Sequence, residues 1–223
     1  EYFDSLAYEY TLPKAIKSGY LSPIKALTLP LKIDMSGVGI QAGDFKVGDI
    51  GTALDPYLHS IADEMAKYCK DRKTVVFLPL VKTSQQFQAA EVNGESQDRA
   101  EILADFDAGK YNVLCNSMLL TEGWDCPSVD CIVVLRPTKV RSLYSQMVGR
   151  GTRLCPGKDH LLLLDFLWMT ERHELCHPAD LICTDEEVSK QMTANLEDAG
   201  CPIDLEEAEK TAAEDVVAQR EEA

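Results

Sequence analysis

Short, predominantly apolar runs alternate along this chain with stretches whose apolar residues recur three and four apart. Residues 74–80, 111–115, 131–135 and 161–164 have strand length and lack an in–out polar alternation. Val140, Leu143, Tyr144, Met147 and Val148 form a stripe at helical spacing between the last two, and Leu58, Ile61, Met65 and Cys69 form another before the first. A strand that is apolar on both sides must be covered on both sides, which crossover helices do in a parallel sheet. The expected class is therefore α/β, a parallel sheet with helices on both faces. In such a sheet the functional loops are expected at the carboxyl ends of the strands.

Local signals divide the rest. Gly19 closes a short helix over 12–17, 24–33 reads as extended, and 36–51 is glycine-rich, so 1–54 reads as a connector that packs on something. Asp55 followed by Pro56 reads as an N-cap with proline at the first helical position, opening a helix that ends near Lys70. Residues 83–89 read as helical and 90–93 as a short strand. Ser96 caps a helix carrying Leu103 and Phe106 that Gly109 ends. Only 81–89 separate the first two strands, fewer than the roughly 10–12 residues of a parallel crossover. Residues missing near Phe87–Glu91 would explain the shortfall. From 184 onward Ile203, Leu205, Ala208, Ala212 and Val216 make a weak apolar series within an acidic helical extension, expected to pack on another part of a longer protein and to be separable. The division is thus a connector at 1–54, a main domain at 55–183 and an extension at 184–223.

Composition sets the limits. Hydrophobic residues make up 45% of the 223, enough for a core, and no run approaches the roughly 18 apolar residues of a membrane span, so no membrane partner is expected. The chain opens on Glu1 without a basic-then-apolar leader, which reads as a piece of a longer protein. The net charge of −15 speaks against nucleic acid until its distribution is seen. Residues 184–223 hold 13 acidic and 3 basic side chains, a net of −10, leaving 24 against 19, a net of −5, for 1–183. Eight cysteines without a CxxC pair, several beside apolar residues, point to free thiols and a reducing cytoplasm. His173, Cys176, His177 and Cys183 lack paired ligand spacing, so no metal is assigned. Glu206, Glu207, Glu209 and Lys210 lie in an acidic helical repeat without a preceding nuclease strand, so no nuclease is assigned.

Three elements could carry chemistry. Gln146-x-x-Gly149-Arg150-x-x-Arg153 sits where a helix ends and a loop begins, and two guanidinium groups three apart on a glycine-flanked turn can converge on one polyanion. On spacing alone, an arginine-rich helix C-terminus favoured by the helix dipole accounts for the pair equally well. Thr121-Glu122-Gly123-Trp124-Asp125 offers a close backbone approach at Gly123 and, at Asp125, a carboxylate for a hydroxyl or an arginine. Asn93-Gly94-Glu95-Ser96 precedes a helix whose amino end can receive phosphate.

In this order, with Val75-Val76-Phe77-Leu78-Pro79-Leu80 upstream, the three elements resemble the second RecA-like domain of superfamily-two helicases and translocases. The resemblance covers 74–166: residues 77–80 are similar to the family's fourth motif, 116–125 to its fifth, and 146–153 match the QxxGRxxR of its sixth. Tyr8-Glu9-Tyr10-Thr11-Leu12 and Gly19-Tyr20-Leu21 are similar to the segment leaving the first lobe in phage and restriction-type helicases. The resemblance implies a RecA-like fold and ATP bound between two lobes, with a first lobe holding most of the ATP and Mg2+. It implies Arg150 and Arg153 as arginine fingers and Gln146 as the residue placing the attacking water or phosphate. Gly123, Asp125 and Gly149 would lie at the nucleotide, and Thr83, Gly94, Asn116, Ser117 and Thr121 would contact the nucleic-acid backbone. Where Asn116 and Ser117 stand the family often has threonine. DNA is the expected partner, RNA being open. Backbone amides and hydroxyls rather than a basic patch would make such contacts. No GxxxxGKS/T occurs, the glycine-rich 37–43 run lacks both lysine and hydroxyl, and no acidic box precedes Thr74, so the chain resembles one lobe of two. The competing reading is a non-catalytic RecA-like module using its arginines as a static phosphate clamp.

Overall fold

A computed structural model describes residues 10–29, 33–79, 90–92, 98–116, 124–166 and 175–222. In chain order these form α1 (Leu12–Lys17), β1 (Ile24–Thr28), β2 (Ile40–Gln41), β3 (Asp44–Phe45), α2 (Val47–Leu54) and α3 (Leu58–Tyr68). Then come β4 (Thr74–Phe77), β5 (Ala90–Val92), α4 (Arg99–Asp107), β6 (Val113–Asn116), β7 (Cys131–Val134), α5 (Arg141–Gly149) and β8 (Leu161–Asp165). The chain closes with α6 (Glu186–Ala199), β9 (Ile203–Asp204) and α7 (Leu205–Glu222). The main sheet has the order β5-β6-β4-β7-β8-β1-β9, parallel throughout except for β9, which runs antiparallel to β1.

The apolar runs become strands buried on both faces, as expected, except that β6 begins only at Val113, half-buried, with Tyr111 and Asn112 exposed before it. Val75, Phe77, Ile132, Val134, Leu161 and Leu163 enter one core layer, while Val76, Leu78, Cys131, Val133, Leu162 and Leu164 enter the other. Burying each such side chain contributes about 1.5–3 kcal/mol. The first layer is closed by α1, α4, α5, α6 and α7 through Ile16, Phe106, Tyr144, Met147, Met192, Leu196 and Ala212. The second is closed by α2 and α3 through Ile50, Leu54, Leu58, Ile61 and Met65.

Several local expectations are corrected. Asp55 is not a helix start: α2 already runs up to it, Asp55–Tyr57 is a 3-10 turn, and Asp55 itself has helical angles (φ −47, ψ −44). The residue preceding α4 is Asp98, Ser96 lying outside the described residues, while Gly109 closes that helix at φ +80. Val140 is an exposed residue before α5 rather than part of its buried stripe. The 81–89 interval lies outside the described residues, and β5 nonetheless pairs in parallel with β6.

The two flanking segments are built into the sheet. Within 1–54, β1 lies between β8 and β9, and Ile33, Met35, Val38 and Phe45 pack on the α2–α3 face. A tight turn with Ala42 (φ 51) and Gly43 (φ 82) joins β2 to β3. Past residue 184, β9 pairs Ile203 with Ala26 and Asp204 with Lys25, and Leu205, Ala208 and Ala212 enter the first core layer. Ile203 to Ala212 of the apolar series therefore pack into this chain's own core, which corrects the expectation of a separable extension. No described helix is long and apolar enough to cross a membrane.

Candidate functional site

Helix α5 sets the arginines. Tyr144, Met147 and Val148 anchor its buried side, which leaves Gln146 exposed and Gly149 half-buried. The helix ends in Arg150, still at helical angles (φ −63, ψ −28), with Gly151 N–H donating to Val148 O (3.0 Å) and the Thr152 hydroxyl to Gly149 O (3.0 Å). At Gly151 the backbone lies against the sheet: a Cβ there would collide with Leu161 Cδ1 and sit 2.9 Å from Ile132 Cγ1. Those side chains belong to the first residue of β8 and the second of β7. The arginine turn thus lies at the amino edge of the sheet, not at the carboxyl ends where functional loops were expected. The helix between two parallel strands runs back against them, so its C-terminus reaches the opposite edge.

Two consecutive residues meet the two arginines. Arg150 Nη1 donates to Trp124 O (2.6 Å), and the Arg153 guanidinium pairs with the Asp125 carboxylate. Of the two partners open to Asp125, the structure selects arginine. Trp124 is itself held against Phe106 of α4, ring centroids 6.0 Å apart. The Arg153 and Asp125 side chains are 40% and 60% exposed, so their pair contributes at most about 1 kcal/mol. It orients a guanidinium that stays accessible to a stronger anion.

The backbone of this turn is tied down by residues that motif reading does not single out. Ser22 N–H donates to Thr152 O (2.7 Å) and its hydroxyl to Arg153 O (3.0 Å). The Lys158 ammonium donates to Gly151 O and Val129 O (2.6 Å each) and to Arg153 O (2.8 Å), with Pro127 O at 3.4 Å. For Gly151 the second glycine of Gly149-Arg150-Gly151 is a local signal. For Ser22, 131 residues from Arg153, there is none.

Of the remaining candidates only Asn116 is among the described residues, and it lies away from this turn. Asn116 ends β6 at the carboxyl edge and is fully buried, so its side chain is not presented at the surface as a backbone-contact role needs. Thr83, Gly94, Ser117, Thr121 and Gly123 lie outside the described residues.

A second polar cluster occupies the carboxyl edge of β7 and β8. Asp165, fully buried, accepts from the Tyr144 hydroxyl, and burial pushes its carboxyl up to about 7. Burial and the neighbouring carboxylate raise the Tyr144 phenol well above its usual range. Arg136 stands 3.9 Å from Asp44, whose carboxylate also accepts from the Thr138 hydroxyl (2.7 Å) and Lys139 N–H (3.0 Å). Asp44 fastens the β2–β3 turn to the residues leading into α5.

The helicase conserved C-terminal domain family matches residues 53–155. IRC3 of Saccharomyces cerevisiae, named for an ATP-dependent helicase, is 29% identical over 180 residues, covering 74% of this chain and 26% of its own length. The type I restriction enzyme EcoAI endonuclease subunit of Escherichia coli is 24% identical over 211 residues, 77% of this chain and 26% of that protein. The chain thus spans about a quarter of each. Among solved structures, a fragment described as an HsdR subunit of a type I restriction enzyme from Vibrio vulnificus YJ016 shares the fold, with a TM-score of 0.60 over 74% of this chain and 36% of that chain at 23% identity. With the parallel sheet and the QxxGRxxR turn on its edge, residues 53–155 match the helicase conserved C-terminal domain in sequence, and the chain shares the RecA-like fold of such a lobe.

Proposed function

We propose that this lobe belongs to an ATP-dependent DNA helicase or translocase and supplies Arg150 and Arg153 to ATP held by a first lobe. The observation carrying this reading is the arrangement at the amino edge: Trp124 O and the Asp125 carboxylate each hold one guanidinium beside a turn whose carbonyls are already bonded. Preorganised positive charge lowers the cost of charge developing on a transferring phosphate, because no reorganisation is needed at the moment of reaction. Gln146, one helical turn before Arg150 and exposed, is in sequence to place the attacking water, and Gly149 and Gly123 allow close approach to the nucleotide. Among the described residues no three His, Cys, Asp or Glu side chains gather to hold a metal, so the Mg2+ accompanying ATP would be held by the other lobe. Thr83, Gly94, Ser117 and Thr121 remain the proposed contacts to the nucleic-acid backbone, with DNA as the proposed partner. Eight free thiols suit a reducing compartment such as the cytoplasm.

The test uses the intact protein carrying both lobes. Arg150→Lys and Arg153→Lys should bind ATP nearly as the natural protein does but turn it over about 10³–10⁵-fold more slowly, because a point-charge ammonium cannot reproduce the guanidinium fork. Melting temperatures should not change. A static phosphate clamp would instead weaken nucleic-acid binding and leave hydrolysis per bound complex intact. Natural turnover in both variants would overturn the proposal, and stimulation by RNA but not DNA would reassign the partner.

A further inference from the structure

Lys158 is a half-buried ammonium whose hydrogen-bond partners are all backbone carbonyls. Its three short contacts, to Val129, Gly151 and Arg153, match the three protons of an ammonium, and Pro127 O lies farther off at 3.4 Å. Two of the short acceptors belong to the arginine turn. Val129 belongs to the segment that runs from Trp124 and Asp125 into β7. One side chain thus joins the two pieces of chain whose relative position decides where Arg150 and Arg153 point.

The Lys158 position is itself prepared. Gly157 adopts φ +81, and Lys158 N–H closes the turn onto Cys155 O (3.1 Å), returning the side chain beneath the loop it has just left. Ser22 completes the set by holding Thr152 O and Arg153 O from the β1 side. All three carbonyls from Gly151 to Arg153 are therefore bonded to groups outside the turn. A stability role alone would not require these bonds to converge on the one segment carrying both guanidinium groups.

We propose that Lys158 is the positioning residue of the arginine turn, its ammonium holding the backbone of Gly151 and Arg153 against the 127–129 segment so that the guanidinium groups are preset for the phosphate. This rests on the reading of Arg150 and Arg153 as the groups that meet ATP. Burial lowers the Lys158 amine to about 8, against the opposing pull of Asp130, Cys155 and Cys126. A neutral amine keeps two protons for the same carbonyls, so the turn loses a bond as pH rises through about 8.

The experiment is steady-state ATP hydrolysis by the intact two-lobed protein at saturating DNA, across pH 6.5 to about 9.5. Lys158→Met should lower kcat about 10- to 100-fold with KM for ATP nearly unchanged, the penalty expected for misplaced reacting groups. Lys158→Arg should recover most of that loss. The natural protein's kcat should fall above pH 8, and the Lys158→Arg profile should stay level because a guanidinium does not deprotonate. If Lys158→Met does not melt cooperatively, the natural protein and Lys158→Arg profiles decide. Natural kcat in a folded Lys158→Met, or a natural profile that is level through pH 8 to 9.5, overturns the proposal. Arg153→Ala measured alongside separates the two ideas. If it turns over at the natural rate, the arginine reading fails; if it is inactive while Lys158→Met is natural, only the role of Lys158 fails.

Discussion

Two glycines two positions apart in the arginine turn serve opposite purposes. Gly149 faces open space within 4 Å of a notional Cβ, whereas Gly151 has Leu161 Cδ1 and Ile132 Cγ1 inside contact distance. Both obstructing side chains are themselves fully buried in the sheet, so they cannot swing away. Gly151→Ala should therefore destabilise by about 1–3 kcal/mol, the usual cost of overpacking. Gly149→Ala should stabilise by about 0.5–1 kcal/mol, as alanine does within a helix. Urea denaturation of the two variants checks the difference in sign. Asp165 supplies a pH dependence. Its carboxyl is raised from 3.8 to about 7, so the folded state holds the proton more tightly than the unfolded chain does. Its contribution is fully present below the ordinary carboxylate value and lost as pH rises through about 7. Asp165→Asn keeps an acceptor for the Tyr144 hydroxyl without the charge. It should gain on the natural chain between pH 5 and 8, up to a few kcal/mol. Melting curves that ran parallel across that range would contradict this.

Among the elements, β9 and the helices around it show how a weakly amphipathic acidic segment is recruited into a core. Helix α6 begins with Asp185 accepting from Glu187 and Val188 N–H groups and ends at Gly200 with φ +62, two local signals that fix its length. Its Met192 and Leu196, together with Leu205, Ala208 and Ala212 of α7, cover the β1 side of the sheet. Removing 184–223 would strip that cover and the β9 edge strand from β1. The shortened chain should therefore lose its cooperative thermal transition rather than melt as the full chain does. Leu205→Ala is the gentler probe, with an expected cost of about 2–5 kcal/mol for a fully buried leucine. An unchanged transition in the truncated chain would show that α6 and α7 contribute nothing to the sheet.

At the scale of the whole molecule, most of the −15 charge is carried by the helices flanking β1, away from the arginine turn in sequence. The chain contains neither a phosphate-cradling GxxxxGKS/T loop nor an acidic box, so by itself it should turn over no ATP above the rate of an Arg150 variant. Its binding to single-stranded or duplex DNA should be weaker than micromolar at physiological salt and fall steeply as salt rises, because one lobe offers few phosphate contacts. Fluorescence anisotropy across a salt series measures both properties.

Period and composition determined the sheet, its burial on both faces and the helices between strands, because those signals depend only on residues a few positions apart. The family resemblance carried by QxxGRxxR singled out Arg150 and Arg153 as the proposed arginine fingers, and Asp125 was legible as a carboxylate awaiting a hydroxyl or an arginine. Only the tertiary structure decided that the partner is Arg153, that the turn lies at the amino edge, and that Asn116 is buried away from it. The same holds for Ser22 and Lys158, whose bonds to Arg153 O have no periodicity to announce them. The physical reason is that hydrophobic patterning says which face of an element is buried but not what covers it. The apolar series from Ile203 to Val216 could be read from the chain; that Ile203 to Ala212 pack into this chain's own core, and not on some other surface, was decided only when the strands were assembled.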